Sequence, residues 1–290
     1  MQIMQHKETM TSHNLLRLSG TIWNVPQLIT QEAFAPILDY LSDRNLIGLS
    51  ANVAGETKKA MPSGKAGSVG EIKVDSTLTY RPVESMCGPA GTSYQGILQQ
   101  AEQLIAEGVT TLIMTHSSPG GSAAHCFSTA NELRAMCDEN DITLITYIDE
   151  MSASAALALG VVADEVIIHP SASTGSIGCV VAIADMSKAY EMEGVKPIYI
   201  SSTPGKTPFQ NDGSFSQSFL DKIQEDVTRL GTEFAAHVSK YTGVTMEDIL
   251  AMDAQMFHAE AALEAGLVNK IMDHTQFTAY VAGLNKGARK

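Results

Sequence analysis

Thr111-Leu112-Ile113-Met114-Thr115 runs straight into His116-Ser117-Ser118-Pro119-Gly120-Gly121. An apolar run of five residues that ends in a Ser/Pro/Gly turn reads as a buried strand. Helical spacing follows it from Ala123 to Asn140, and a second apolar run, Ile142–Ile148, follows that. A buried strand, a glycine turn, a helix and another buried strand define an α/β fold on a parallel sheet covered on both faces.

The same alternation extends outward. Ser93–Glu107 is expected to be a helix leading into Thr111–Thr115. After Ile148, Asp149-Glu150 reads as a turn, and Ser154 in Met151-Ser152-Ala153-Ser154-Ala155-Ala156 opens the next helix. Strands are expected at Glu165–His169, Cys179–Ile183 and Pro197–Ser201, with a short helix around Ala189. A long helix, Ser216–Tyr241, stops at Thr242-Gly243, and one more apolar strand spans Leu267–Met272. Upstream, Ile72, Val74, Leu78 and Tyr80 alternate as on a half-buried strand, and Pro82–Thr92 reads as a surface loop. Leu15–Trp23 is expected to be extended, and Thr30 caps a helix from Gln31 toward Leu41, with Pro36 in its first turns. The pattern divides the chain into an N-terminal extension (1–53), a Gly/Ala/Ser/Lys-rich connector (54–70) and a main domain (71–290).

The chain has 290 residues, a hydrophobic content of 44%, and a net charge of −13. That charge argues against nucleic-acid binding and against docking on an anionic membrane, both of which need a basic face. No apolar run approaches the roughly 20 residues that span a bilayer, and Met1–Met10 lacks the apolar core of a secretion signal. A chain that stays in the cytoplasm is expected. Cys87, Cys126, Cys137 and Cys179 are scattered, so reduced thiols and no zinc site are expected.

Three segments carry candidate chemistry. Gly120 and Gly121 can turn backbone N–H groups toward an oxyanion, often the largest catalytic contribution in acyl transfer. Ser154 supplies a hydroxyl where a helix begins at the C-terminal end of a strand, the edge at which open α/β sheets bind ligands. A serine between alanines is more often just a small helix residue, and Ser152 is its near rival. Lys206, in Thr203-Pro204-Gly205-Lys206-Thr207-Pro208, supplies a base. Most loop lysines are merely solvated, and a lysine serves as a base only if burial or neighbours lower its pKa from about 10.4. Lys188 and Lys196 read as structural. His116, His125 and His169 lie near the strand ends, but none has an obvious Asp partner for a Ser-His-Asp triad, and no thiol-protease signature surrounds Cys126. Thr174-Gly175-Ser176-Ile177-Gly178 reads as a tight turn that could wall the site, with the Ser176 hydroxyl bonding the lysine amine.

Taken in order, Ser118-Pro119-Gly120-Gly121, Ser154, Thr174–Gly178, Lys206, Tyr241-Thr242-Gly243 and Ala265-Gly266-Leu267-Val268 resemble the signal peptide peptidase family of Ser-Lys peptidases. Within it they resemble the phage prohead (capsid maturation) proteases. The resemblance covers residues 88–272, and Ser154 and Lys206 lie 52 positions apart (206 − 154), similar to the family's spacing. It implies a ClpP/crotonase-like spiral of β-β-α units that assembles into homo-oligomeric rings. It implies Ser154 as nucleophile, Lys206 as general base and Ser176 as the lysine's partner. Gly120 or Gly121, with the Ala155 N–H, would form the oxyanion hole, and no cofactor or metal is implied. The expected substrates are protein: scaffold, capsid-associated proteins and the chain itself, in the host cytoplasm or the prohead interior.

Two features depart from the family pattern. Ala155-Ala156 stands where many relatives have Gly-Gly or Ala-Gly, and no N-terminal anchor is seen. The missing anchor and Trp23-Asn24-Val25-Pro26 look more like the phage branch, and the end at Lys290 implies a scaffold encoded separately. Other readings are a cytoplasmic bacterial peptidase of the same family, a crotonase-like acyl-CoA enzyme and a non-catalytic shell protein.

Overall fold

The computed structural model describes residues 24–42, 69–82, 84–85, 88–89 and 91–287. The expected strand at 15–23 and most of the expected connector lie outside them. Apart from a two-residue hairpin, Glu84–Ser85 with Gly88–Pro89, inside the expected loop 82–92, and a 3-10 turn at Pro204–Lys206, the elements in chain order are β1 (Gln27–Ile29), α1 (Gln31–Ser42), β2 (Val69–Asp75), α2 (Tyr94–Ala106), β3 (Thr111–Ser118), β4 (Gly120–Ser122), α3 (Cys126–Glu139), β5 (Thr143–Ala153) and α4 (Ala155–Gly160). They continue with β6 (Glu165–Ile168), β7 (Ser173–Gly175), α5 (Ser187–Met192), α6 (Gln217–Thr242), α7 (Met246–Ala251), β8 (Met256–His258), α8 (Ala259–Glu264), β9 (Lys270–Ile271) and α9 (His274–Gly287).

The main sheet runs β8-β7-β5-β3-β2, and β6 also pairs with β5 and carries β9. Every pairing is parallel except β8 with β7. β3 and β5 sit at its centre, and Leu112, Met114, Leu144, Ile145 and Ile148 are fully buried. One face is covered by α2, α3, α4 and α6 through Ile97, Leu133, Leu159 and Phe234. The other is covered by α9, whose Phe277, Tyr280, Val281 and Leu284 pack on Ile113, Ile145, Tyr147 and Ile167. Helices on both faces explain why the strands are apolar along their whole length. The β-β-α repetition appears twice. β2 leads through Leu78-Thr79 to α2, and β3 leads through β4 to α3, with Leu78 bridged in parallel to Gly121.

The helix ends follow local chemistry. Ser93 Oγ accepts from the Gly96 N–H at 3.1 Å and starts α2. Thr30 Oγ1 accepts from the Ala33 N–H at 3.3 Å and starts α1. Gly243, at φ 78°, ends α6 by donating to the Ser239 carbonyl. Replacing the fully buried Leu133 of α3 by Ala is expected to cost about 3 kcal/mol, read as a lower urea midpoint.

Several expectations need correction. Asp149-Glu150 is not a turn: β5 runs through it to Ala153. The strand trades neighbours there, pairing β6 up to Ile148 and β7 from Met151, while the pairing with β3 shifts register between His116 and Ser117. Pro197–Ser201 is not a strand: among the described residues no sheet edge pairs with it, and Ile198 and Ile200 are 79% and 95% exposed. Cys179–Ile183 is not a regular strand either: only isolated bridges form there, at Val180, which pairs with Gln27, and at Ala182. In Leu267–Met272 only Lys270–Ile271 pairs as a strand. Val69 and Gly70, assigned to the connector, belong to β2.

Candidate active site

Ser154 follows the last residue of β5 and precedes the first of α4. Its backbone is at φ 53°, ψ −116°, a conformation that a residue with a Cβ adopts at a cost of order 1–3 kcal/mol. Two contacts hold it there. Its N–H donates to the Gly175 carbonyl at 2.8 Å, and its carbonyl accepts from the Ala158 N–H at 3.0 Å. The side chain is fully buried, yet Oγ has no hydrogen-bond partner. A strained serine whose buried hydroxyl is left unpaired is an arrangement that stability alone does not favour.

Two turns wall it. On one side is Gly120, at φ 100°. A Cβ there would lie 3.0 Å from Ser154 Cβ and 2.2 Å from the Leu28 carbonyl oxygen, so only glycine fits. The Gly120 N–H donates to Ser118 Oγ at 3.2 Å, and Ser118 Oγ itself donates to the Ser76 carbonyl at 2.6 Å. Gly121 is differently placed. Thr30 donates to the Pro119 carbonyl and Ala123 to the Pro26 carbonyl. In an antiparallel ladder with Leu28 opposite Gly121, the alternation makes that pair hydrogen-bonded too. The Gly121 N–H is therefore committed to Leu28. Of the two glycines, Gly120 is the one whose N–H lies outside the ladder. Ala155, as the first residue of α4, has an N–H with no acceptor inside the helix.

On the other side is the Gly175-Ser176 turn. Ala153 is paired with Gly175, which has φ 132° and would place a Cβ 2.3 Å from the Gln255 carbonyl oxygen. Ser176 is also at positive φ, 56°, and donates its N–H to Gln255 at 2.9 Å. Nothing local in the sequence announces Gln255, which lies some eighty residues downstream and acts only through its backbone.

Lys206 is not brought to this cluster within the chain. It closes a short 3-10 turn, Pro204–Lys206, on an exposed segment. Lys188 and Lys196 are exposed on the same stretch, beside Met192, Val195, Ile198 and Ile200.

The rival serine has a different setting. Ser152 lies within β5, and its Oγ is 2.8 Å from His116 Nδ1, both residues fully buried. Burial pushes the His116 imidazole from its ordinary 6.5 down to about 3. The pair is packed under α4, where a Cβ added at Gly160 would lie 3.3 Å from the His116 ring, and it reads as core. His125 stacks on Tyr80 at 3.8 Å between ring centroids, and His169 Nδ1 accepts from the Ser171 N–H at 3.1 Å. Burial also pushes the Cys126 thiol up to about 12, and Cys137 up to about 11. Iodoacetamide at pH 8 is accordingly expected to leave both unmodified in the native chain and to alkylate both in urea, as read by intact mass.

His116 also sets a pH dependence. Below about 6.5 the unfolded chain protonates this residue, while the folded chain resists until about 3. The unfolded state then binds more protons, so stability falls as pH falls through that window, by up to about 1.4 kcal/mol per pH unit. Urea midpoints at pH 7.5 and pH 5 are expected to show the drop, and His116→Gln is expected to flatten it.

No described helix is long and apolar enough to cross a membrane. The chain is 27% identical over 209 residues to the capsid assembly protease C of Escherichia phage lambda, covering 70% of this chain and 45% of that protein. It is 22% identical over 298 residues to the head-tail preconnector protein GP5 of Enterobacteria phage P21, covering 95% of this chain and 59% of that protein. The chain thus spans about half the length of these phage relatives. Among solved structures, a ClpP1 mutant from Listeria monocytogenes superposes with a TM-score of 0.44 at 12% identity, over 70% of this chain and 91% of that one. The profile of peptidase family S49 matches residues 138–287, a span that holds Ser154, Ser176 and Lys206 and makes up more than half of the sequence, and on that match the chain belongs to peptidase family S49.

Proposed function

We propose that this chain is a serine endopeptidase that cleaves scaffold and other internal proteins of a phage prohead, in the host cytoplasm or inside the shell, with Ser154 and Lys206 as its dyad. The observation that carries the proposal is Ser154 itself: a strained, buried serine at a strand end, its hydroxyl unpaired, beside the Gly120 turn. Family membership and the phage relatives support the substrate class.

In this reading the Lys206 amine takes the Ser154 proton as Oγ attacks the scissile carbonyl carbon. The oxyanion lies on the N–H groups of Gly120 and Ala155. The C–N bond breaks, the leaving amine takes the proton from Lys206, and the acyl group stays on Ser154. Water, deprotonated by the same amine, then releases the second product and restores Ser154. Ser176 orients the lysine. No metal or cofactor takes part. The reading requires packing that the isolated chain lacks. Met192, Val195, Ile198 and Ile200 give the Lys206 segment an apolar surface for it, and a second copy of the chain in a homo-oligomeric ring is the proposed partner. The test is co-expression with the scaffold protein of the same phage, followed by intact mass. Cleaved scaffold with the wild-type chain is expected. Full-length scaffold in assembled proheads would overturn the assignment.

A further inference from the structure

β1 lies between two strand edges that both belong to the walls of Ser154. On one side it pairs antiparallel with β4, Gln27 opposite Ser122, Leu28 opposite Gly121 and Ile29 opposite Gly120. On the other, Gln27 and Val180 exchange both backbone hydrogen bonds, at 2.9 and 3.0 Å, and the Asn24 N–H donates to the Ala182 carbonyl at 3.0 Å. The first edge continues the Gly120 turn, and the second continues the chain beyond the Ser176 turn. A short extended segment thus bridges the two turns between which Ser154 sits.

Its backbone passes close to the serine. The Leu28 carbonyl oxygen lies 2.2 Å from where a Gly120 Cβ would be, and that point is 3.0 Å from Ser154 Cβ. The Leu28 side chain is fully buried in the same core cluster as Ala155 and Ala156. Without β1, β4 and the stretch 180–182 would expose two unpaired edges with a gap one strand wide between them. Such a gap is filled by an extended polypeptide, whose main chain pairs with the edges and whose side chains enter the adjoining pockets. Ile29 and Gly120 form a pair that is not hydrogen-bonded, so an occupant in this register leaves the Gly120 N–H free of the ladder.

We propose that the slot filled by β1 is where a protein substrate lies as an extended strand, and that β1 is a built-in competitor that leaves before Ser154 acts. The inference rests on the peptidase reading above. It extends that reading by naming a segment of the chain, 24–30, as the element that controls access.

A reversible lock tests this. Gln27 and Ser122 face each other in a pair that is not hydrogen-bonded, the closer of the two antiparallel spacings and one a disulfide can span. Gln27→Cys with Ser122→Cys, in a Cys179→Ser background, would tie β1 down under oxidation and free it under dithiothreitol. The readout is the rate at which a fluorophosphonate probe labels Ser154, together with scaffold cleavage. The oxidised form is expected to label at least about tenfold more slowly than the same protein reduced. Equal rates in the two states overturn the proposal, as does failure of the disulfide to form, since β1 would then not be paired with β4 in solution. As a second, independent variant, Leu28→Gly removes the buried anchor and is expected to label faster than wild type; an unchanged or slower rate counts against the proposal. If no form labels or cleaves, the peptidase reading itself fails. If all forms label alike, only the β1 proposal fails.

Discussion

Ser154→Ala is expected to reduce scaffold cleavage by at least about a thousandfold, because the nucleophile and everything that depends on it are lost together. The variant is expected to fold as well as wild type. Alanine keeps the Cβ, so the backbone strain at φ 53° is unchanged, and the atom removed is a buried oxygen with no hydrogen-bond partner. Deleting an unpaired buried hydroxyl is neutral or stabilising. The expected result is therefore a melting temperature equal to or above that of wild type, in a chain that does not cut. Ser152→Ala should behave in the opposite way. It strips His116 Nδ1 of its partner inside the core and is expected to cost about 1–3 kcal/mol in urea while cleavage continues. Stability and activity thus separate the two serines, two residues apart, in opposite directions.

Lys206→Ala is expected to produce a loss of similar size, and Lys206→Arg is expected not to restore activity. A guanidinium stays protonated at any working pH, so arginine can supply charge but cannot accept the Ser154 proton. If the arginine variant cleaved scaffold at a rate near that of wild type, Lys206 would be a positioning charge and the base would lie elsewhere. The proposed dependence on packing adds a further expectation: activity per chain should rise with protein concentration, because Lys206 lies on an exposed segment of the single chain.

Local chemistry made much of this fold readable. Ser93 and Thr30 announce helix starts, Gly243 announces a stop, and the continuous apolar runs at 111–115 and 142–148 announce strands buried on both faces. Ser154 stood out because it falls at a strand end in an alternating pattern, although its strained backbone is set by the Gly175 carbonyl, which local sequence does not show. The departures from the sequence pattern depend on distant partners. Asp149-Glu150 has turn composition, yet β7 receives the strand beyond it. Ile198 and Ile200 alternate like a strand, but among the described residues no edge pairs with them. The pairing of Gln27–Ile29 with Gly120–Ser122 joins segments more than ninety residues apart through three residues each, too short for any periodicity to register. Gly120 and Gly121 looked equivalent as oxyanion donors, and only that pairing separates them.

The most direct test of the central claim is to treat the assembled protein with a fluorophosphonate, digest it and map the adduct by mass. One modified residue, Ser154, is expected, with the adduct absent from Ser154→Ala. An adduct on Ser152, or scaffold cleavage that persists with Ser154 replaced, would contradict it.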